Sequence, residues 1–127
     1  MNVALDTNAY SEFVRGDPGR LRVVQTAMTL FLPLFVLGEL RAGFRLGRRA
    51  SQNASRFQHF LNNPRVRVLA PDEATTHHYA DLVELLKRQG TPIPTNDIWI
   101  AALALQHNLV LCTSDAHFQH VPHLPKC

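Results

Sequence analysis

Apolar residues change their spacing several times along this chain, and each change marks an element. Val3-Ala4-Leu5 is a short apolar run without alternation that stops at Asp6-Thr7-Asn8, the pattern of a strand buried on both faces in a parallel sheet. Tyr10 to Arg15 predicts a short helix stopped by Gly16-Asp17-Pro18, and Leu21, Val24 and Met28 recur at helical spacing, predicting a second helix over 18–28. Leu30-Phe31-Leu32 predicts the next strand, with Pro33 at its exit. From Leu34 to Leu46, Phe35, Leu37, Leu40 and Phe44 share one helical face, with arginines on the other side. Ser51 to Asn62 puts Phe57, Phe60 and Leu61 on one face of a further helix, which Asn63-Pro64 breaks.

The second half repeats the alternation. Val66 to Leu69 predicts a third strand. Pro71-Asp72-Glu73 opens a helix with acids in its first turn, and Lys87-Arg88 close it just before Gly90, as helix polarity favours. After a loop at Thr91–Pro94, Thr95-Asn96-Asp97 starts an apolar helix running to Gln106, because Thr and Asn cap helices well. Leu109 to Cys112 is the last clear strand, and Phe118, Val121 and Leu124 in the tail predict a short edge strand. Strands that alternate with helices from end to end predict an α/β fold: one domain over residues 1–127, with a central parallel sheet of four or five strands flanked by helices.

Composition narrows the class. Of 127 residues, 46% are hydrophobic and only 18% charged, which excludes an intrinsically disordered chain. Two cysteines, Cys112 and Cys127, can neither staple a secreted scaffold nor, at that spacing, hold a metal. The N-terminus lacks the basic-then-apolar order of a signal peptide. The most apolar run, Leu30 to Leu37, is too short to span a bilayer, which needs ~20 residues. A cytoplasmic protein with no membrane association is expected. The net charge of +3 is unevenly spread, since 10 of the 13 arginines and lysines precede residue 68. Arg41, Arg45, Arg48, Arg49 and Arg56 concentrate it, a patch that suits a phosphate backbone and equally describes a solvated helix face.

The candidate chemistry lies with the acids. Ligands of open parallel sheets sit at the carboxyl ends of the strands, and two strands here run into a carboxylate, Asp6 and Asp115. Glu39 lies among Phe35, Val36, Leu37 and Leu40, and Asp97 opens the apolar helix before the last strand. Singly, Asp6 and Asp115 are explained as turn caps and Asp97 as a complement to a helix N-terminus. Together, four acids at one end of a sheet repel unless a cation neutralises them. The donors are hard oxygens, which select Mg²⁺ or Mn²⁺. Such an ion activates water and stabilises charge on a phosphoryl oxygen, so phosphodiester hydrolysis is the expected reaction.

These residues resemble the PIN-domain ribonucleases and, among them, the VapC-type toxins of toxin–antitoxin pairs. The resemblance covers essentially the whole chain through four elements in order: Leu5-Asp6-Thr7-Asn8, Val36-Leu37-Gly38-Glu39-Leu40-Arg41-Ala42-Gly43, Asn96-Asp97-Ile98-Trp99-Ile100-Ala101-Ala102, and Leu111-Cys112-Thr113-Ser114-Asp115-Ala116-His117-Phe118. It implies a three-layer PIN-like fold and an Mg²⁺- or Mn²⁺-dependent endoribonuclease that leaves a 5′-phosphate. It implies that Asp6, Asp97 and Asp115 ligate the ion, with Glu39 acting through water or at a second ion. Thr7, Asn8 and Thr113 support them. A homodimer and an inhibitory antitoxin docking near the acids are also implied. Arg41, Arg45 and Arg48, which follow Glu39, are candidates to guide the RNA backbone. Apolar residues of the early helices, Phe13, Val14, Leu21, Val24, Phe57 and Phe60, serve either partner contacts or the core. Where many relatives carry a further acid, two residues after Asp115, this chain has His117, so a single-ion site is expected in preference to a filled second one, and His117 is expected as an ordinary surface histidine in preference to a contact with a phosphate or a partner carboxylate.

Other readings fit less well. A phosphorylatable receiver needs paired acids near the first strand and a late lysine within the sheet, but Asp6 stands alone and Lys126 lies at the far end. A zinc site from His117, His120 and His123 is interrupted by Pro122. A PIN scaffold that binds RNA or a protein partner without cutting is the better rival, and the four acids argue against it. Trp99 is either a stacking platform for a base or, more in keeping with an apolar helix, core.

Overall fold

The computed structural model describes residues 1–127. It opens with strand β1 (Asn2–Leu5), whose Val3, Ala4 and Leu5 are all buried, followed by helices α1 (Thr7–Val14) and α2 (Pro18–Thr26). Strand β2 (Thr29–Pro33) leads directly into α3 (Leu34–Leu46), and α4 (Ala50–Leu61) precedes β3 (Val66–Leu69). Helices α5 (Glu73–Gln89) and α6 (Thr95–Gln106) come before β4 (Val110–Cys112) and a 3₁₀ turn at Ala116–His120. The four strands are all parallel, in the order β3-β2-β1-β4, with Val3 opposite both Leu30 and Val110.

Local chemistry sets most helix ends. Pro18 stands in the first turn of α2 behind Asp17, which caps the Arg20 amide at 2.9 Å. Asp72 and Thr75 form a reciprocal capping box at the start of α5, and Gly90 ends that helix at φ 71°, a conformation that costs glycine little. The start of α6 differs from expectation: Pro94 is its N-cap, no side chain caps it, and Thr95 and Asn96 are already helical. Proline fills that place because it fixes φ near the value a helix start accepts. Ile98, Ile100, Ala101, Ala102, Leu103 and Ala104 are buried on all sides of α6, so this helix is a core element with no polar face to orient it.

The tail departs from the expected edge strand. Phe118, Val121 and Leu124 are buried, but the first lies on a 3₁₀ turn, and pairing comes later, through a parallel bridge between Leu111 and Lys126. A spacing of three residues is the 3₁₀ period, not the strand period of two. The Lys126 ammonium donates to the carbonyls of Val121 and Leu124 at 3.1 and 2.8 Å and so holds the tail folded. No helix is long and apolar enough to cross a membrane.

Candidate active site

The strand order creates the site. From β1 the chain moves to β2 and β3 on one side, then returns to place β4 on the other. The crevice beyond the carboxyl ends of β1 and β4 is therefore the topological switch point, where open α/β sheets bind ligands. Asp6 follows β1, Thr113 and Asp115 follow β4, α3 brings Glu39, and the first turn of α6 brings Asp97. The four carboxylates, with Thr7, Asn8 and Ile100, line one cavity of about 90 Å³. That is the scale of an ion with a few waters, well below the ~300–1,000 Å³ of sites that enclose organic ligands.

A relay of hydrogen bonds orders the acids. Buried Asp6 accepts the Ala9 amide on Oδ1 at 2.8 Å and the Thr113 hydroxyl on Oδ2. The same Thr113 oxygen accepts the Asp115 amide at 2.9 Å, and Asp115 Oδ1 accepts the His117 amide at 2.9 Å. The His117 ring then turns back, placing Nδ1 2.9 Å from Asp97 Oδ2 and 3.1 Å from Asp115 Oδ1. His117 is thus no free surface histidine. Although exposed, it turns to the two aspartates, and with His120 and His123, also exposed, it forms no zinc cluster.

Three of the acids pay a common electrostatic cost. Burial pushes the Asp6 pKa above the ordinary carboxylate value and the Asp115 charge adds to the rise, while Thr113, the Ala9 amide and the Arg20 charge oppose it. Glu39 stands exposed at the cavity mouth, yet partial desolvation of its carboxyl, with the charges of Asp97, Asp6 and Asp115, raises its pKa too. Desolvation also raises Asp97, against the hydrogen bond from His117. Like charges gathered in a partly dry cavity hold their protons unless a cation is present. A second sign points the same way. Thr7 Oγ1 is buried and lacks a well-aligned partner, although it lies near enough to Glu39 to damp that rise. An unsatisfied buried hydroxyl costs about 1–3 kcal/mol, and a hydrated ion in this cavity would satisfy it. The oxygen donors fit Mg²⁺ or Mn²⁺.

Other expected residues lie outside the cavity. Arg41, Arg45 and Arg48 are exposed on or just beyond α3, and Arg41 sits 5.4 Å over the ring of Phe57. Trp99 stacks with Tyr79 at 3.9 Å and with Phe35 at 5.9 Å, so its ring is used inside the protein. Among the early apolar residues, Val24 and Phe57 are core. Phe13, Val14, Leu21 and Phe60, with Tyr10 and Arg56, instead line a cleft of about 580 Å³. Three contributors were missed in the sequence. Ser114 donates to Glu12 at 2.9 Å, Glu12 pairs with Arg20 at 3.6 Å, and Arg20 donates to Cys112 Sγ at 3.0 Å, bracing the segment after β4. Their partners lie far away in sequence, so no local pattern marked them.

A parallel α/β sheet that gathers four carboxylates at its switch point defines the class: a small α/β domain built around an acidic cluster. The chain belongs to the PIN domain family, which it matches over residues 3–124. It is 33% identical over 121 residues to the plasmid stability protein StbB of Pseudomonas syringae pv. tomato, covering 89% of this chain and 87% of that one. It is 31% identical over 111 residues to ribonuclease VapC4 of Mycobacterium tuberculosis, covering 87% and 82%. Among solved structures it resembles VapBC-1 from nontypeable Haemophilus influenzae, with a TM-score of 0.85 and 32% identity over 100% of this chain and 97% of that one.

Proposed function

We propose that this protein is an Mg²⁺- or Mn²⁺-dependent endoribonuclease, the toxin of a toxin–antitoxin pair, with Asp6, Glu39, Asp97 and Asp115 as its working acids. The convergence of these four carboxylates in one ion-sized cavity carries the reading, and similarity to a VapC ribonuclease supports RNA as the substrate. When bound, a divalent cation lowers the pKa of a coordinated water and takes up charge on a phosphoryl oxygen. Asp6, Asp97 and Asp115 would hold that ion, and Thr113 fixes two of them at once, locking Asp6 through its hydroxyl and Asp115 through its amide. Glu39, with its raised pKa and exposed position, orients the attacking water and accepts its proton. Thr7 and Asn8 line the same cavity and would hydrogen-bond the water around the ion. Arg45 and Arg48 lie exposed on the route beyond Glu39 and track the RNA backbone.

The cleft lined by Phe13, Val14, Leu21 and Phe60 is the seat of the antitoxin's apolar segment. Helix α1 joins it to the acids, because Thr7 and Asn8 at its start line the cavity while Phe13 and Val14 near its end line the cleft. The likeness to VapBC-1 supports an antitoxin partner. The homodimer the family resemblance implies is checked by light scattering.

The test is cleavage of total cellular RNA by antitoxin-free protein, with Mg²⁺ or Mn²⁺ against chelator, for the native chain and Asp97→Asn. Discrete products that require both the ion and Asp97 are expected. Folded, ion-loaded protein that leaves all RNA intact would instead favour a PIN scaffold that binds without cutting.

A further inference from the structure

We propose that His117 is a nitrogen ligand of the cation site, coordinating beside Asp97 and Asp115 and shifting its preference from Mg²⁺ towards transition ions such as Mn²⁺. The inference rests on the acidic cavity being a cation site and goes beyond it, to which ion it takes and through which atom.

Geometry carries the argument. The ligand atoms of Asp97, Asp115 and His117 all lie within 4.8 Å of one another. The two separations from Nδ1, 2.9 Å to Asp97 Oδ2 and 3.1 Å to Asp115 Oδ1, match the spacing of adjacent donors in an octahedral shell. With bonds of about 2.1 Å, such neighbours stand about 3.0 Å apart. Two carboxylate oxygens from different elements, α6 and the segment after β4, converge on one nitrogen that carries at most one hydrogen. A single N–H cannot serve both well, whereas an ion shared by three donors accounts for the convergence.

The ring is also positioned for the task. The His117 amide is tied to Asp115 Oδ1 at 2.9 Å, which fixes the backbone from which the imidazole projects. With its side chain 47% exposed, the ring stands towards solvent, whereas Asp6 of the same cavity is buried. Chemistry then sets the preference. Mg²⁺ keeps to oxygen and water, while imidazole suits the borderline transition ions, whose affinities rise from Mn²⁺ onwards. An aspartate at this position would give an all-oxygen site that discriminates less against Mg²⁺.

The test is Mn²⁺ binding to the untagged full chain in the absence of RNA, followed by electron paramagnetic resonance, with Mg²⁺ as competitor. Nuclease activity plays no part in this readout, so its failure is separable from failure of the ribonuclease reading. Bound Mn²⁺ in the native chain is expected to show spin-echo modulation from a directly coordinated ¹⁴N. His117→Asp should keep Mn²⁺ binding, lose that modulation and lower the Mn²⁺-to-Mg²⁺ affinity ratio by about tenfold, the order of a metal-site substitution. His117→Ala should lose the modulation and bind both ions more weakly. Mn²⁺ bound by the native chain without nitrogen modulation would overturn the proposal, leaving His117 as an ion-pair partner of the two aspartates. An unchanged affinity ratio in His117→Asp would overturn it as well. No divalent binding by the native chain, with its fold intact, would remove the cation site itself.

Discussion

Two aspartates of this molecule stand just after a strand, cap a helix, and yet are driven in opposite directions. Asp72, after β3, accepts the Thr75 amide at 3.1 Å and the Gln106 side-chain amide at 2.8 Å, and these bonds hold its exposed carboxyl below the ordinary carboxylate range. Asp6, after β1, caps Ala9 in the same manner, but burial and the neighbouring Asp115 push it above that range. The capping motif is shared, and only the surroundings differ. At the β3 end hydrogen-bond donors outnumber acids, so Asp72 is spent on joining α5 to α6. At the β1–β4 end three further carboxylates face Asp6 across the cavity, and the excess of negative charge is what a cation would answer.

The sharpest way to break that contrast is to remove one acid from the crowded end. Asp97→Asn should abolish measurable cleavage, a loss of more than about 100-fold, since removing even an outer-shell partner of a metal site costs 10- to 100-fold. Its stability should move the other way. Because the folded-state pKa of Asp97 lies above its ordinary value of 3.8, the folded chain binds protons more readily than the unfolded one. Stability of the metal-free native chain therefore rises as pH falls through the raised pKa, and levels off below the ordinary value. In chelator at pH 7, Asp97→Asn should melt at or above the native chain, and the gap should close on acidification. Added Mn²⁺ should reverse the ranking, because only the native chain gains from binding it. A variant that melts lower at pH 7 without metal would contradict the repulsion at this end of the sheet.

Away from the acids the molecule should respond through packing alone. Phe57 is fully buried, meeting Tyr10 at 5.1 Å and Phe44 at 5.8 Å in edge-to-face contacts, with Arg41 over its ring. Phe57→Ala should cost about 3–5 kcal/mol by urea denaturation, while leaving the affinity for Mn²⁺ of the remaining folded protein unchanged. Thr113→Val sits between the two regimes. It keeps the volume but removes the donor to Asp6 and the acceptor of the Asp115 amide, so about 1–3 kcal/mol of stability and 10- to 100-fold of activity should go together. Unaltered cleavage in this variant would show that the two aspartates do not need that brace.

Local chemistry explains which parts were legible in the chain. The spans of α3 and β3 follow from apolar spacing, that of α6 from its apolar run, and the close of α5 from Lys87, Arg88 and Gly90. Helix α1 starts at Thr7, three residues before the Tyr10 the sequence predicts, because Asp6 and Thr7 read as a strand exit although Asp6 is already the N-cap of that helix. Capping and site chemistry are not rivals there, nor at Asp115, which caps the 3₁₀ turn while lining the cavity. The four acids were legible because strand ends and motif order place them. His117 was not, because its contact with Asp97 spans 20 residues and depends on how the 3₁₀ turn lies against α6. The bracing line of Glu12, Arg20 and Ser114 was hidden for the same reason, as an ordinary surface acid, base and hydroxyl carry no period.

The smallest effect is expected from the exposed arginines of α3 and the turn after it. Arg45 lies in the last turn of α3, six residues beyond Glu39, and forms no ion pair within the chain. Its side chain is thus available to a phosphate, and its loss should barely touch folding. Arg45→Ala should weaken RNA binding modestly and lower the slope of log affinity against log salt by about 0.7, the change for one phosphate contact on a single strand. The cleavage rate at saturating RNA should stay as it is, since the acids are unaltered. Arg41→Ala should add a stability loss, because that guanidinium packs over Phe57 and a cation–π contact is worth about 0.5–1 kcal/mol at exposed sites. An unchanged salt slope in Arg45→Ala would move the RNA path off α3 and leave the basic face as a solvated helix surface.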